Sequence, residues 1–408
     1  MHFNQPRQQL RKKISIHAAN NYLCTLIFFV PMNRNTTIAI LKGIAIILMV
    51  VGHADAPEIL TNFIYTFHMP LFFMAAGYFF DRKYLSQPAL FVGKRLRGLY
   101  IPFLKWSILF LLLHNVWHHF GILNESFGNW TGGVTHPYTL RSAAQRLMLI
   151  VTSMSGYDEF MAGAFWFFRG LLVASILFLL IYKAIDSTGK FSPNGAVITI
   201  CLAAIGFTAW HIYCGAKLPI PNGGWRETWG IFFFGTGVLF RQYQHRIVQH
   251  WALCSVYFLL LCGAAWLHLS GMNNRGLWRD LWSLPLTGTI GFLMVYYISS
   301  AIDRRDSRLR SLLVFIGNNT MCIFVWHILS FKAVSLIKIW HYGLEWEQIG
   351  CHMVIHHNNH GDLYWVLYSI AGTALPLLVT VAWRRFTPGV TSYISALRQG
   401  RLFPPFAR

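Results

Sequence analysis

The sequence predicts an all-α, polytopic integral membrane protein of about ten transmembrane helices. Hydrophobic residues make up 55% of its 408 residues and charged residues only 12%, which lies outside the usual composition of soluble domains. The formal net charge is +20, but the basic residues separate the apolar runs and do not gather on one motif. Membrane topology therefore explains the charge, and no nucleic-acid partner is expected.

Ten apolar runs approach the length that crosses ~30 Å of hydrocarbon. They cover residues 36–56, 60–80, 99–119, 160–182, 196–213, 227–241, 251–270, 281–301, 312–332 and 363–383. With a cytoplasmic N-terminus, the inner loops carry most of the lysines and arginines, which is the positive-inside pattern. We therefore expect a multi-pass protein of the inner (cytoplasmic) membrane, in contact with membrane lipid, with both termini in the cytoplasm.

Three regions follow from this pattern. Residues 1–33 are a basic N-terminal extension, 34–385 form the transmembrane domain, and 386–408 are a cytoplasmic C-terminal tail. The extension ends in a short apolar run that resembles a weak signal peptide without a cleavage site. A start of translation at Met32 is the open alternative.

Two of the predicted outer loops, 120–158 and 338–362, are long. The second contains five histidines, and imidazoles close in sequence can share a zinc ion. These are His341, His352, His356, His357 and His360. Their spacing matches no closed metal motif, and the seven cysteines of the chain form no CxxC pair. We therefore expect no metal.

Lys42 and His53 lie eleven residues apart in one apolar run, KGIAIILMVVGH. Eleven residues return a helix to nearly the same face, ~16 Å further along its axis. Polar and charged groups at such positions are costly in a bilayer, so the pair predicts a functional site.

Four polar side chains are predicted to converge in the outer half of the membrane: His53, His68, Arg169 and, toward the outer end of its helix, His327. Such convergence indicates a pocket. We find no carboxylate among the predicted buried groups, which disfavours a proton relay.

A second group of basic residues is predicted at the cytoplasmic face, where Lys42 extends toward Arg95 and Arg97. Arginine and lysine suit phosphate groups, although ordinary topogenic charge also accounts for Arg95 and Arg97. A phosphate-binding mouth below a buried imidazole fits a long ligand such as a coenzyme A thioester.

Five segments, in order, resemble the motifs of the membrane acyltransferase family 3. They are KGIAIILMVVGH, FHMPLFFMAAGYFF, KRLRGLYIP, FWFFRGLL and FIGNNTMCIFVWHIL, and the likeness runs from about Thr36 to Arg385. Within the family, the segments resemble those of the fucose 4-O-acetylases and polysaccharide O-acetyltransferases. The resemblance implies an enzyme that moves an acyl group, usually acetyl, from cytoplasmic acyl-CoA (acetyl-CoA) to a hydroxyl of a cell-surface glycan or lipid-linked saccharide.

Residue by residue, the family's motif of a basic residue, ten positions and a histidine falls on Lys42 and His53. Its arginine-rich stretch falls on Arg95 and Arg97, and its phenylalanine and glycine motif falls on Phe72, Phe73 and Gly77. Relatives often carry aspartate three residues before the basic residue, where this chain has Ala39. If that aspartate pairs with the basic residue in relatives, the charge of Lys42 is less well neutralised here.

As a mechanism, we expect His53 to act as general base on the acceptor hydroxyl, or as a nucleophile in an alternative version. Arg169, His68 or His327 would stabilise the oxyanion. A secondary transporter for a small polar solute and a glycan polymerase or ligase are the competing classes. Transporters commonly show internal repeats, and none is evident here.

Overall fold

The computed structural model describes residues 35–128, 133–269, 271–272, 276–354 and 362–398, with the backbone alone from 386 onward. The structure is 79% helical, and the described residues contain no strand. The predicted all-α fold is therefore confirmed. The predicted extension 1–33 lies outside the described residues.

Fifteen helices are present in the described residues. They are α1 Thr36–Gly52, α2 Glu58–Tyr65, α3 His68–Tyr78, α4 Pro88–Arg95, α5 Ile101–His119, α6 Leu140–Ser153, α7 Glu159–Ala162, α8 Trp166–Asp186, α9 Pro193–Cys214, α10 Trp225–Tyr243, α11 Trp251–Trp266, α12 Asp280–Asp303, α13 Arg308–Asn318, α14 Thr320–Tyr342 and α15 Tyr364–Arg398. A π-helical turn, Leu96–Tyr100, joins α4 to α5.

Seven helical segments of the described chain are long and apolar enough to cross a membrane. They are Glu58–Tyr78, Pro88–His119, Glu159–Asp186, Pro193–Cys214, Asp280–Asp303, Thr320–Tyr342 and Tyr364–Arg385. Helices α1 and α11 are apolar but shorter, with 17 and 16 residues. The polytopic architecture is confirmed, whereas the count of ten spans and the cytoplasmic placement of the termini stay predictions.

The predicted ninth span, 312–332, is wrong in its bounds, because the structure has two helices there, α13 and α14, in place of one. The boundary between the two helices lies at Asn319. Its side-chain amide nitrogen donates to the carbonyl of Phe315, and its side-chain oxygen accepts from Arg384, both at 2.8 Å. Asparagine side chains compete with the helical backbone for hydrogen bonds, which favours a helix boundary here. His327 consequently lies in the first half of α14 and not toward its outer end.

The predicted outer loop 120–158 contains a 14-residue helix, α6, that packs antiparallel along α5. Asn115 exchanges two hydrogen bonds with Tyr138 near one end of the pair. Near the other end, the hydroxyl of Tyr100 donates to the carbonyl of Val151 at 2.8 Å. The sequence missed α6 because polar residues interrupt its apolar positions, so no apolar run of spanning length marks it.

Hydrogen bonds at the predicted cytoplasmic side join the start of α1 to the ends of α3 and α12. The amide of Asn35 donates to the hydroxyl of Tyr78 at 3.0 Å. The hydroxyls of Thr36 and Thr37 donate to one carboxylate oxygen of Asp303 at 2.7 and 2.6 Å. These contacts agree with the alternating helix directions that the sequence predicts.

Two glycines allow the backbones of α3 and α10 to touch. A Cβ atom on Gly77 would overlap the carbonyl oxygen of Phe234, and one on Gly237 would overlap the carbonyl oxygen of Met74. Small residues let membrane helices approach closely, and the packing gained there replaces the hydrophobic force that is absent between helices in lipid. Gly77 belongs to the phenylalanine and glycine motif of the sequence analysis, and its role in the structure is to allow this close helix crossing.

Replacing Gly77 with valine is expected to destabilise the protein, because the side chain forces α3 and α10 apart. Overpacking of this kind costs about 1–3 kcal/mol. The measurement is the thermal midpoint of the purified protein in detergent, followed by size-exclusion chromatography. Gly206→Ala is the matched control, since a Cβ there meets open space. A Gly77→Val protein as stable as this control would contradict the close crossing.

Candidate functional site

The two histidines that the sequence predicted on α1 and α14 contact each other directly. His53 is the C-cap residue directly after the end of α1, and its Nδ1 lies 2.9 Å from Nε2 of His327. The two rings stack with their centroids 5.2 Å apart. His327 is buried and His53 is half-buried. The structure therefore brings this predicted pair together, across 274 residues of sequence.

The hydrogen-bond partners assign the tautomers of both rings. Nδ1 of His327 lies 3.2 Å from the carbonyl oxygen of Ile323 and 3.0 Å from that of Phe324. Carbonyl oxygens only accept, so this nitrogen carries the proton, and Nε2 of the neutral ring is the acceptor. His53 must then donate from Nδ1, which leaves the lone pair on its Nε2. That atom is the one that can take a proton.

His68 and Tyr65 fasten α2 and α3 to the end of α1. Nδ1 of the buried His68 donates to the carbonyl of Ile64 at 3.0 Å, and its ring stacks on Tyr65 at 5.1 Å. The hydroxyl of Tyr65 donates to the carbonyl of Gly52 at 2.7 Å, one residue before His53. The sequence predicted His68 at this site but did not identify Tyr65.

Lys332, at the end of the predicted ninth span, and Lys338, in the predicted outer loop, are both buried in α14, because that helix continues to Tyr342. The ammonium group of Lys332 donates to the carbonyls of Ile349 and Cys351 at 2.7 and 2.6 Å. The ammonium group of Lys338 lies 2.7 Å from a carboxylate oxygen of Asp362. Both cations therefore hold the following loop against α14 and do not face solvent.

That loop brings a further histidine to the site, His352, which the sequence analysis considered only as a metal ligand. Its ring donates to the backbone carbonyl of Phe160. Burial, with smaller contributions from His53 and Lys332, lowers the pKa of His352 to about 3, so the ring is neutral at pH 7. No periodicity marks this residue, because a loop and not a helix positions it.

Arg169, also predicted as a site residue, forms a buried ion pair with Glu227. Its Nε donates to Oε1 of Glu227 at 2.9 Å, and the two residues are 4% and 0% exposed. The second oxygen of Glu227 is buried with no hydrogen-bond partner among the described residues. Since Glu227 and Asp280 are both fully buried, the expectation of no buried carboxylates is wrong. Both acids lie in the first turn of a helix, where the helix dipole favours negative charge.

The three basic residues predicted at the cytoplasmic face differ in their surroundings. Lys42 is half-buried on α1, and Arg97 is exposed at the π-helical turn. Arg95 lies over the rings of Phe91 and Phe234, with its guanidinium carbon 4.8 and 5.4 Å from their centroids. The shared phosphate site of these residues stays a prediction.

Ala39, which the sequence analysis singled out as a departure from the family pattern, is buried in the contact between α1 and α13. Ala39 is 3% exposed and packs with Leu313 and Val314 in an apolar cluster. Its carbonyl oxygen lies where a Cβ atom on Gly317 would be. In this chain the position therefore serves helix packing.

The described residues contain no group of three or more histidine, cysteine, aspartate or glutamate side chains arranged to hold a metal ion. Three of the loop histidines considered for zinc, His356, His357 and His360, lie outside the described residues.

Comparison with known proteins identifies a family. The family model of the acyltransferase domain, acyltransferase family 3, matches residues 35–383, which is most of the chain. No curated protein and no solved structure matches it. The matched region contains both histidines of the contacting pair and the predicted basic residues. The chain belongs to acyltransferase family 3 and is a multi-pass membrane acyltransferase.

Proposed function

We propose that the protein is an O-acyltransferase that moves an acyl group, typically acetyl, from cytoplasmic acyl-CoA to a hydroxyl of a cell-surface glycan or lipid-linked saccharide. The observation that carries the proposal is the contact of His53 with His327, because it leaves a proton-accepting Nε2 on a half-buried imidazole. Membership in an acyltransferase family supplies the reaction class. The inner membrane is the proposed location.

In the proposed step, Nε2 of His53 takes the proton of the acceptor hydroxyl as its oxygen attacks the thioester carbonyl. The carbon–sulfur bond then breaks, and the imidazolium returns the proton to the thiolate of coenzyme A. The products are an ester and free coenzyme A, so proton and electron pairs balance. His327 is the positioning residue, since it fixes the tautomer and orientation of His53.

The residues expected to stabilise the oxyanion differ in how many N–H groups their other hydrogen bonds leave available for it. Neutral His68 and His327 have already used their single N–H groups on backbone carbonyls. Arg169 gives one N–H to Glu227 and has others. Among the residues expected to stabilise the oxyanion, Arg169 is therefore the one we retain.

The test is incubation of membranes containing the protein with labelled acetyl-CoA. The proposal predicts alkali-labile label in glycan or lipid-linked saccharide, and only in membranes that contain the active chain. Flux of an unmodified solute without such label would instead support a transporter, a class for which buried carboxylates such as Glu227 and Asp280 are typical.

Replacing Lys42 with alanine is expected to raise the acetyl-CoA concentration needed for half-maximal transfer by about 10- to 100-fold. The reason is the loss of a charge-assisted hydrogen bond to a cofactor phosphate, about 1.5–3 kcal/mol. The maximal rate should change little. Lys183→Ala, at an exposed lysine near the predicted cytoplasmic end of α8, is the matched control. An unchanged acetyl-CoA dependence would exclude Lys42 from the donor site.

A further inference from the structure

A cavity of about 280 Å³ lies at the side predicted to be outer, between α2, α3 and described residues of the connection from α11 to α12. Asn62, Tyr65, His68, His268, Met272 and Arg279 line it. Ligand cavities for drug-sized molecules run from ~300 to 1,000 Å³. The volume therefore suits one sugar ring and is too small for a whole acyl-CoA molecule.

The cavity adjoins the end of α1 that carries the proposed base. Tyr65 and His68 form one wall of the cavity. The hydroxyl of Tyr65 donates a hydrogen bond to the carbonyl of Gly52, the residue before His53. Nδ1 of His68 donates a hydrogen bond to the carbonyl of Ile64, so Nε2 of His68 can accept a hydrogen bond from a hydroxyl. One layer of side chains thus separates the cavity from the end of α1.

Polar groups contribute part of the lining, and the cavity opens to solvent. The amide nitrogen of Asn62 lies 3.0 Å from Nδ1 of His268, a residue that is exposed at the rim. One terminal nitrogen of Arg279 donates to the carbonyl of His268 at 3.0 Å. Nε of Arg279 is buried without a hydrogen-bond partner among the described residues. Amide and guanidinium donors facing an imidazole acceptor match the hydroxyls of a sugar, which both accept and donate.

We infer that this cavity binds a sugar ring of the acceptor, one layer of side chains away from the His53 end of α1. Asn62, His68 and Arg279 recognise the ring through its hydroxyls. The inference rests on the proposed function, and it adds that the acceptor enters from the side opposite the proposed acyl-CoA mouth. It also limits the recognised unit to about one monosaccharide.

The test is a pair of titrations with labelled acetyl-CoA. The acceptor is a glycan-containing membrane fraction from cells that lack this protein, and the readout is alkali-labile label. Arg279→Gln and Asn62→Ala remove polar contacts, whereas Met272→Trp fills the cavity. We expect each variant to need about ten-fold more acceptor fraction for half-maximal label, with the acetyl-CoA titration unchanged. Trp266→Ala, exposed at the same end of α11, is the control.

Size-exclusion chromatography confirms that each variant is folded before it is assayed, and the two polar variants suffice if Met272→Trp does not fold. An acceptor titration like that of the wild type in both polar variants overturns the cavity assignment. A shift of the acetyl-CoA titration in place of the acceptor titration also overturns it. Absence of label with the wild-type chain would overturn the proposed function itself, whereas a failure of the cavity assignment leaves wild-type label in place, so the two failures are distinguishable.

Discussion

Replacing His53 with alanine is expected to lower acetyl transfer by about 10²- to 10⁴-fold, the usual contribution of a general base. Nε2 of His53 is the atom that its bond to His327 leaves free to take a proton, and alanine supplies no substitute. The measurement is alkali-labile label from labelled acetyl-CoA, normalised to the amount of folded protein. No other single substitution proposed for this chain should reduce the chemical step as strongly.

A second variant, His53→Asn, separates chemistry from structure. Its amide nitrogen can still donate to Nε2 of His327, so the buried acceptor keeps a partner, but the side chain cannot take up a proton at neutral pH. We expect His53→Asn to be folded and as inactive as His53→Ala. His245→Ala, at an exposed histidine after α10, is the control. Activity of His53→Asn near that of the control would remove His53 from the proton-transfer role.

Replacing Arg169 or Glu227 alone with alanine is expected to cost about 3–5 kcal/mol of stability. Each substitution leaves the other charge buried and uncompensated, which is the costly way to break such a pair. The two side chains are joined at 2.9 Å and almost fully buried. The measurement is the yield and thermal midpoint of the protein in detergent, where both single variants should be lowest among the variants proposed here.

The double variant Arg169→Met with Glu227→Met decides whether Arg169 also acts in the reaction. Replacement of a buried ion pair by apolar side chains of similar volume is often neutral or stabilising, so most of the lost stability should return. A stable but inactive double variant supports Arg169 as the oxyanion donor. A stable and fully active one assigns the pair to folding alone. Instability equal to the sum of the single variants would contradict the pairing.

The sequence predicted most of the fold, because a chain in lipid must satisfy its backbone hydrogen bonds within each segment. Apolar runs therefore correspond to helices, and most predicted spans overlap helices of the structure. The misses have local causes. Asn319 divides the ninth span, and the polar positions of α6 hide a helix inside a predicted loop. Neither changes the apolar content of the chain, which is the signal that the prediction used.

The sequence also predicted only part of the candidate site. The cost of polar groups in apolar runs was enough to single out His53, His68 and His327, which the structure places at or near one site. The sequence analysis did not identify Lys332 or Glu227 as buried residues, because neither hydropathy nor spacing marks them. Burial of a helix end or of a loop is a property of packing, and composition does not report it.

The sequence by itself determined that this is an all-helical membrane acyltransferase with a lysine and a histidine on one helix. The helical membrane architecture and the shared helix face follow from short-range rules, since hydropathy and helical periodicity depend on residues close in the chain. The acyltransferase assignment follows from the resemblance of five segments to the motifs of the family. Only the tertiary structure decided which partners these groups have: His53 meets His327 across 274 positions, and Arg169 meets Glu227 across 58. Proton transfer and charge neutralisation act over a few ångströms, so such pairs exist only once the helices that carry them have packed.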